Sequence, residues 1–313
     1  MSRVVASLAA VALALGLVAC GGDGAEPGAS DEATLVLDFV PNAVHAGIYA
    51  AQAQGEFDDE GIDLDIREPG ASTDAPKLLE AGRTDFAVMD IHDVGLARER
   101  GLDLRIVAPI VQLPLAAVIA GRSDFATSDL EGATVGVTGL PSDDAVLDAV
   151  LETADVEPDS VERVTIGFDS VAALSAGRVD AATAFWNAEG VALKRRGVAT
   201  REFRVDDYGA PRYPELVLVT TPDAPASEGM AEAITAGYES VLEDPDAGLQ
   251  DLLAANPELD DAEQQAQLEA LLAADAFSPP GVLDLARLGE WAEWDLERGL
   301  LSEPVEPGEL IAR

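Results

Sequence analysis

The chain has 313 residues, 48% of them hydrophobic, with 59 acidic against 19 basic side chains and a formal charge of −40. That length is enough for two lobes with their own cores, and a charge this negative repels phosphate backbones, which argues against nucleic acid as a partner. Cys20 is the sole cysteine, so no intramolecular disulfide can form.

Residues 1–19 read as an export signal. Arg3 supplies the positive end, Val4 to Val18 is an apolar run too short and too alanine-rich to span a membrane, and Leu17-Val-Ala-Cys20 has the small-residue pattern that precedes a lipidated cysteine. A lipid anchor at Cys20 on the outer face of the cytoplasmic membrane is expected, followed by a flexible tether over residues 20–32.

The chain then predicts a strand at Thr34–Asp38, a turn at Val40-Pro41, a helix from Asn42 to Gln54 stopped at Gly55, and a strand at Ile62–Arg67. Asn42, His45 and Tyr49 fall on one helix face, and Asp38 and Phe39 lie at the carboxyl end of the first strand. Open α/β sheets bind ligands at that end.

An internal echo follows. Leu79-Glu-Ala-Gly-Arg-Thr-Asp-Phe-Ala87 and Leu174-Ser-Ala-Gly-Arg-Val-Asp-Ala-Ala182 each read as a helix end, a glycine cap and a strand start. The strands run on to Met89-Asp-Ile-His-Asp93 and to Phe185-Trp-Asn-Ala-Glu189. Two lobes of like topology would aim these segments at one another across a cleft. The extended run Leu104–Ile119, interrupted by Pro109 and Pro114, suits a chain leaving the first lobe, and Tyr213–Thr221 suits its return. Residues 33–114 plus 219–313 are therefore expected in one lobe and 115–218 in the other, with two crossings as a hinge.

Candidate binding residues are Asp38, Phe39, Asn42, His45, Tyr49, Asp90, His92, Ser142, Trp186, Asn187 and Glu189. Trp186 reads either as packed core or, with Phe39 and Tyr49, as a stacking box for a flat ring. Glu189 and Asp38 could accept hydrogen bonds from an exocyclic amine or a protonated ring nitrogen. Ser142 reads as the N-cap of a helix whose free N–H groups meet a ligand acceptor, or as a plain cap. Trp291 and Trp294, at helical spacing with Leu288, read as core. No nucleotide, metalloprotease or CxxC signature occurs, so neither cofactor nor catalytic residue is expected.

Asp38, Pro41, Asn42, His45, Gly47, Tyr49, Gly55, Phe57, Glu60 and Gly61 together resemble the signature of substrate-binding proteins of ABC importers in the thiamine-precursor, riboflavin and alkanesulfonate group. The yeast-type thiamine pyrimidine synthase shares that signature. Phe39 stands for the usual Trp, Glu56 for a Tyr and Ile62 for a Leu. Trp186-Asn-Ala-Glu-Gly190 is similar to a segment of the pyrimidine-binding members. The resemblance implies a two-lobe α/β periplasmic-binding-protein type II fold with a central ligand cleft. It further implies a monomer that delivers an aminopyrimidine thiamine precursor, hydroxymethylpyrimidine or formylaminopyrimidine, to the transmembrane subunits of an ABC permease.

Riboflavin or a sulfonate is the alternative ligand, although the named segments lack the basic side chains a sulfonate needs. The synthase is a more distant alternative. In that enzyme a histidine in the segment matching His92 is consumed, and a lysine four residues earlier holds pyridoxal phosphate. Val88 stands at the lysine position and the synthase's cysteine-rich segment is absent, so the chain is expected not to be an enzyme.

Overall fold

A computed structural model describes residues 31–70, 75–222, 224 and 226–312; the signal segment, Cys20 and the tether up to residue 30 lie outside the described residues. Strand β1 (Asp31–Val36) already pairs at Asp31 with Ile62, so the tether ends before Asp31 rather than at residue 32. It lines up in parallel with β2 (Ile62–Arg67) and β3 (Phe86–Asp90), while β4 (Arg105–Val111) lies farther along the same sheet. A second sheet holds β5 (Ala116–Ala120), β6 (Thr134–Val137), β7 (Glu162–Thr165), β8 (Ala181–Phe185) and β9 (Arg201–Arg204). The chain then returns to the first sheet as β10 (Leu216–Thr220).

The strand orders are β2-β1-β3-β10-β4 and β7-β6-β8-β5-β9. In both, the first three strands run parallel and the fourth enters antiparallel. β3 and β8, the strands that follow the two echoed segments, hold the central place in their sheets. Their glycine caps, Gly82 and Gly177, have φ of 60° and 62°, the left-handed conformation that favours glycine. β3 and β10 are apolar up to their last residues, Asp90 and Thr220, because both of their faces are covered. β4 tolerates Pro109 because it is an edge strand whose outer side, apart from the bridge of Ile106 to Ile311, pairs with no other strand among the described residues.

The helices are α1 (Ala46–Gln54), α2 (Glu56–Asp59), α3 (Ala75–Glu80), α4 (Ile91–Glu99), α5 (Pro141–Thr153), α6 (Ser170–Ser175), α7 (Glu189–Arg195), α8 (Ser227–Glu243), α9 (Pro245–Ala255), α10 (Asp261–Ala273) and α11 (Leu285–Glu297). α1 and α8 cross where neither carries a side chain. A Cβ on Gly47 would stand 2.4 Å from the Tyr238 ring, and one on Gly237 would stand 2.0 Å from the Gly47 carbonyl. Tyr238 seals the crossing by donating its hydroxyl to Val44 O at 2.7 Å. Gly47 is thus required by packing.

The chain passes between sheets over residues 112–115 and again before Leu216. β10 pairs over its whole length with β3 and β4, which moves the second boundary ahead of the expected 218/219.

Candidate ligand site between the two sheets

The carboxyl ends of β1 and β3 face those of β6, β7 and β8 across a cavity of about 300 Å³. One wall carries Asp38, Phe39, Asn42, Val88 and Asp90, and the other carries Ser142, Phe168, Ser170, Phe185, Asn187 and Glu189.

In the first wall the turn after β1 aims one carboxylate. Nε2 of His45 donates to Asp38 Oδ1 at 2.8 Å, and its Nδ1 accepts from the Asn42 N–H at 3.2 Å, which fixes the Nε2–H tautomer. His45 is completely buried behind the wall, so it orients Asp38 and does not reach the cavity. Asn42 lines the cavity, yet its amide is used up. Its Oδ1 accepts from Val44 N and its Nδ2 donates to Val40 O, each at 3.0 Å. Tyr49, a turn farther on, is buried away from the cavity and its hydroxyl meets Asn256. The expected box of Phe39, Tyr49 and Trp186 is therefore not formed. The aromatic residues at the cavity are Phe39, Phe168 and Phe185, with Phe39 and Phe168 meeting across the mouth at 6.0 Å between ring centroids.

Trp186 is core. Its indole N–H donates to Pro114 O at 3.1 Å, its backbone N–H donates to Leu115 O at 3.0 Å, and the Arg204 guanidinium stacks 3.9 Å above its ring. Its neighbour Asn187 does line the cavity. That amide is fully buried, and among the described residues neither Oδ1 nor Nδ2 has a protein partner. Ser170 Oγ, buried at the start of α6, is likewise unpartnered beside the same cavity. Glu189 opens α7 and accepts from Phe185 N at 3.0 Å. Burial pushes its carboxyl up, against the pull of those backbone N–H groups. Ser142 lines the cavity but does not cap α5: the helix starts at Pro141, with Leu140 in the cap position.

At the floor, Asp90 caps α4 by accepting from His92 N at 2.7 Å. Burial and then the neighbouring carboxyls of Glu215 and Asp93 push its own carboxyl well up, although His92 pulls the other way. His92 itself faces away from the cavity. Its Nδ1 lies 2.7 Å from Asp295 Oδ1 and 3.1 Å from the Trp291 indole nitrogen, and its Nε2 lies 3.0 Å from the Tyr213 hydroxyl. Burial alone would lower its pKa, but Asp295 and the other nearby carboxyls outweigh that and hold it at about 8. Asp90, His92 and Glu215 gather within 4.8 Å of one another, but both ring nitrogens of His92 are already engaged, which leaves none open to a metal ion.

Sequence reasoning missed Phe168 and Ser170. The strand-end rule that found Asp38 would also have reached Phe185 and Phe168, the latter three residues past β7. Asp38, Asp90, Asp93, Asp143 and Glu189 all line the cavity, and no arginine or lysine does among the described residues.

Residues 42–248 match the family model described as NMT1/THI5 like. The formylaminopyrimidine-binding protein of Halalkalibacterium halodurans is 35% identical over 243 residues, 74% of this chain and 74% of that one. The 4-amino-5-hydroxymethyl-2-methylpyrimidine phosphate synthase of Legionella pneumophila is 27% identical over 175 residues, 55% of each chain. The periplasmic aliphatic sulphonate binding protein SsuA of Escherichia coli superposes with a TM-score of 0.69 at 15% identity, over 90% of this chain and 97% of its own. The two share the α/β periplasmic binding protein fold.

Proposed function

The chain belongs to the NMT1/THI5-like family, and from that premise we propose that it is the substrate-binding component of an ABC importer and holds an aminopyrimidine thiamine precursor between its two sheets. The observation that carries this is the unpartnered carboxamide of Asn187. A 4-aminopyrimidine presents an N–H donor beside a ring-nitrogen acceptor, and one amide offers the matching acceptor and donor. Two such bonds contribute about 1–3 kcal/mol. Phe39, Phe168 and Phe185 supply apolar surface for the ring, and the Asp38, Asp90 and Glu189 carboxyls can accept from further N–H groups.

The remaining ligand classes fit less well. Ligand cavities run from about 300 to 1,000 Å³, and this one, at about 300 Å³, suits a single ring better than a flavin. A sulfonate would face five carboxyl groups with no lining cation among the described residues. Val88, in the cavity wall, offers no amine for the synthase's imine. Because the proposed contacts come from both walls, ligand binding favours closure over the two crossings, and the closed form is what the permease receives. Lipidation at Cys20 would hold a monomeric protein on the outer face of the membrane beside that permease.

Thermal shift with formylaminopyrimidine, hydroxymethylpyrimidine, riboflavin and taurine tests the assignment. A ligand at about 100 times its Kd adds about 2.7 kcal/mol of stability, a clear rise in melting temperature. A rise with a pyrimidine alone is expected. A rise with riboflavin or taurine alone would overturn the ligand and keep the fold.

A further inference from the structure

One buried carboxyl group joins the hinge to the cavity floor. Glu215 is the last residue before β10 and Leu115 the last before β5, so the two sit where the two crossings meet the sheets. Glu215 Oε2 accepts from Leu115 N at 2.7 Å, and its backbone carbonyl accepts from Ile91 N at the start of α4. The residue is 1% exposed, its Oε1 has no hydrogen-bond partner among the described residues, and the Ala116 N–H also pulls on the carboxyl. The same carboxyl hydrogen-bonds the side chain of Asp90, which lines the cavity, and oxygens of the two acids lie within 4.8 Å of one another. Two carboxyl groups make a hydrogen bond only when one of them carries a proton.

We infer that Glu215 is a positioning residue that shares one proton with Asp90 and thereby couples ligand contact at the cavity floor to the hinge. With the proton in place the pair carries a single charge. A ligand N–H on Asp90 then favours charge on Asp90 and the proton on Glu215, whose Oε2 keeps its hold on Leu115. When the proton leaves to solvent, two carboxylates face each other in a buried site and push the second crossing away from α4.

Of the groups facing the pair, His92 relieves it most, by favouring charge on Asp90, while the nearby acids oppose that. α4 supplies His92 and Asp93, α11 supplies Asp295, and the second crossing supplies Tyr213 and Asp206, with Arg204 and Arg212 set against Asp206. His92, the cation within reach, is already held by Asp295. Consistently, burial lifts the Glu215 carboxyl to about 7, even though the Leu115 N–H pulls it down.

Glu215→Gln supplies the test, because its amide can accept from Leu115 N and donate to Asp90 at every pH. In the ligand-free protein, melting temperature is compared between the variant and wild type from pH 5.5 to 8.5. A carboxyl raised in the folded state adds stability at low pH and loses it as pH climbs through the folded value. The variant should therefore gain on wild type as pH rises, and parallel curves would overturn the shared proton. The coupling to ligand rests on the pyrimidine reading and is measured as the Kd for formylaminopyrimidine over the same range. Wild-type affinity should fall toward alkaline pH, by up to about tenfold per pH unit for one proton, while the variant stays flat. Equal slopes would overturn the coupling. Should the stability gap appear while no pyrimidine binds at any pH, the proton pair stands and the ligand assignment falls. Asp90→Asn, whose amide can donate to Glu215, should show the same pH-dependent gain on wild type and serves if the first variant does not fold.

Discussion

Asn187 gains nothing for the folded protein from its polar atoms, since a buried amide without partners costs desolvation and recovers none of it. Asn187→Leu, with the same branching and heavy-atom count, should raise the ligand-free melting temperature and weaken pyrimidine binding by about 10- to 100-fold, the loss of about 1–3 kcal/mol of hydrogen bonding. Calorimetry and thermal unfolding of the one variant read both effects. A fall in stability with affinity unchanged would show that the amide serves the fold. The position of this side chain was legible in the sequence, and that of its neighbour was not. Successive residues leaving a strand point to opposite sides. With Phe185 and Asn187 at the cavity, Trp186 points into the core, where the Pro114 carbonyl takes its N–H. The same limit applies to His45 and Tyr49. Helical spacing groups them on one face, but only the packed structure shows that Tyr49 turns to Asn256 and His45 to the back of Asp38, so that neither reaches the cavity.

At the scale of elements, the connections matter more than the strands. Trp186 ties the end of β8 to the first crossing through Pro114 and Leu115, so it braces that connection between the sheets. Trp186→Ala should cost about 3–5 kcal/mol of stability, a drop visible by denaturant unfolding without ligand. A stable variant with weakened binding would instead return the residue to the site. α11 docks in a similar way, through Asp295 on His92. With His92 held at about 8, above its ordinary 6.5, the ion pair contributes fully below pH 6.5 and is lost as pH rises through about 8. Asp295→Asn should therefore lag wild type in stability most below pH 6.5, and the gap should narrow by pH 9. A constant gap would mean the bond does not depend on the charge of His92. Strand and helix patterns along the chain predicted most elements. The start of β1 at Asp31 escaped because an acidic segment gains strand character only from the partners it meets, and the return strand, expected from Tyr213, begins its pairing only at Leu216.

For the molecule as a whole, the echo of Leu-x-Ala-Gly-Arg-x-Asp-x-Ala was the feature that carried furthest, since it marks the central strand of each sheet and hence the two sides of the cavity. The charge of −40 acts at the same scale, and here two effects oppose each other. Ion pairs such as Arg195–Asp260 and Arg298–Glu152 bridge the two halves, and salt weakens them. Exposed pairs of this kind contribute little to stability. Self-repulsion is spread over 59 acidic side chains with only 19 basic ones to offset it, and it is strongest when the screening length spans the molecule. That length falls from about 30 Å at 0.01 M salt to about 8 Å at 0.15 M. Relief of repulsion should therefore win. The melting temperature at fixed pH should rise with sodium chloride, most steeply below about 0.15 M and then level off as the screening length drops under the spacing of neighbouring carboxylates. A falling melting temperature over that range would mean that the bridging pairs, and not the net charge, govern how the two halves hold together.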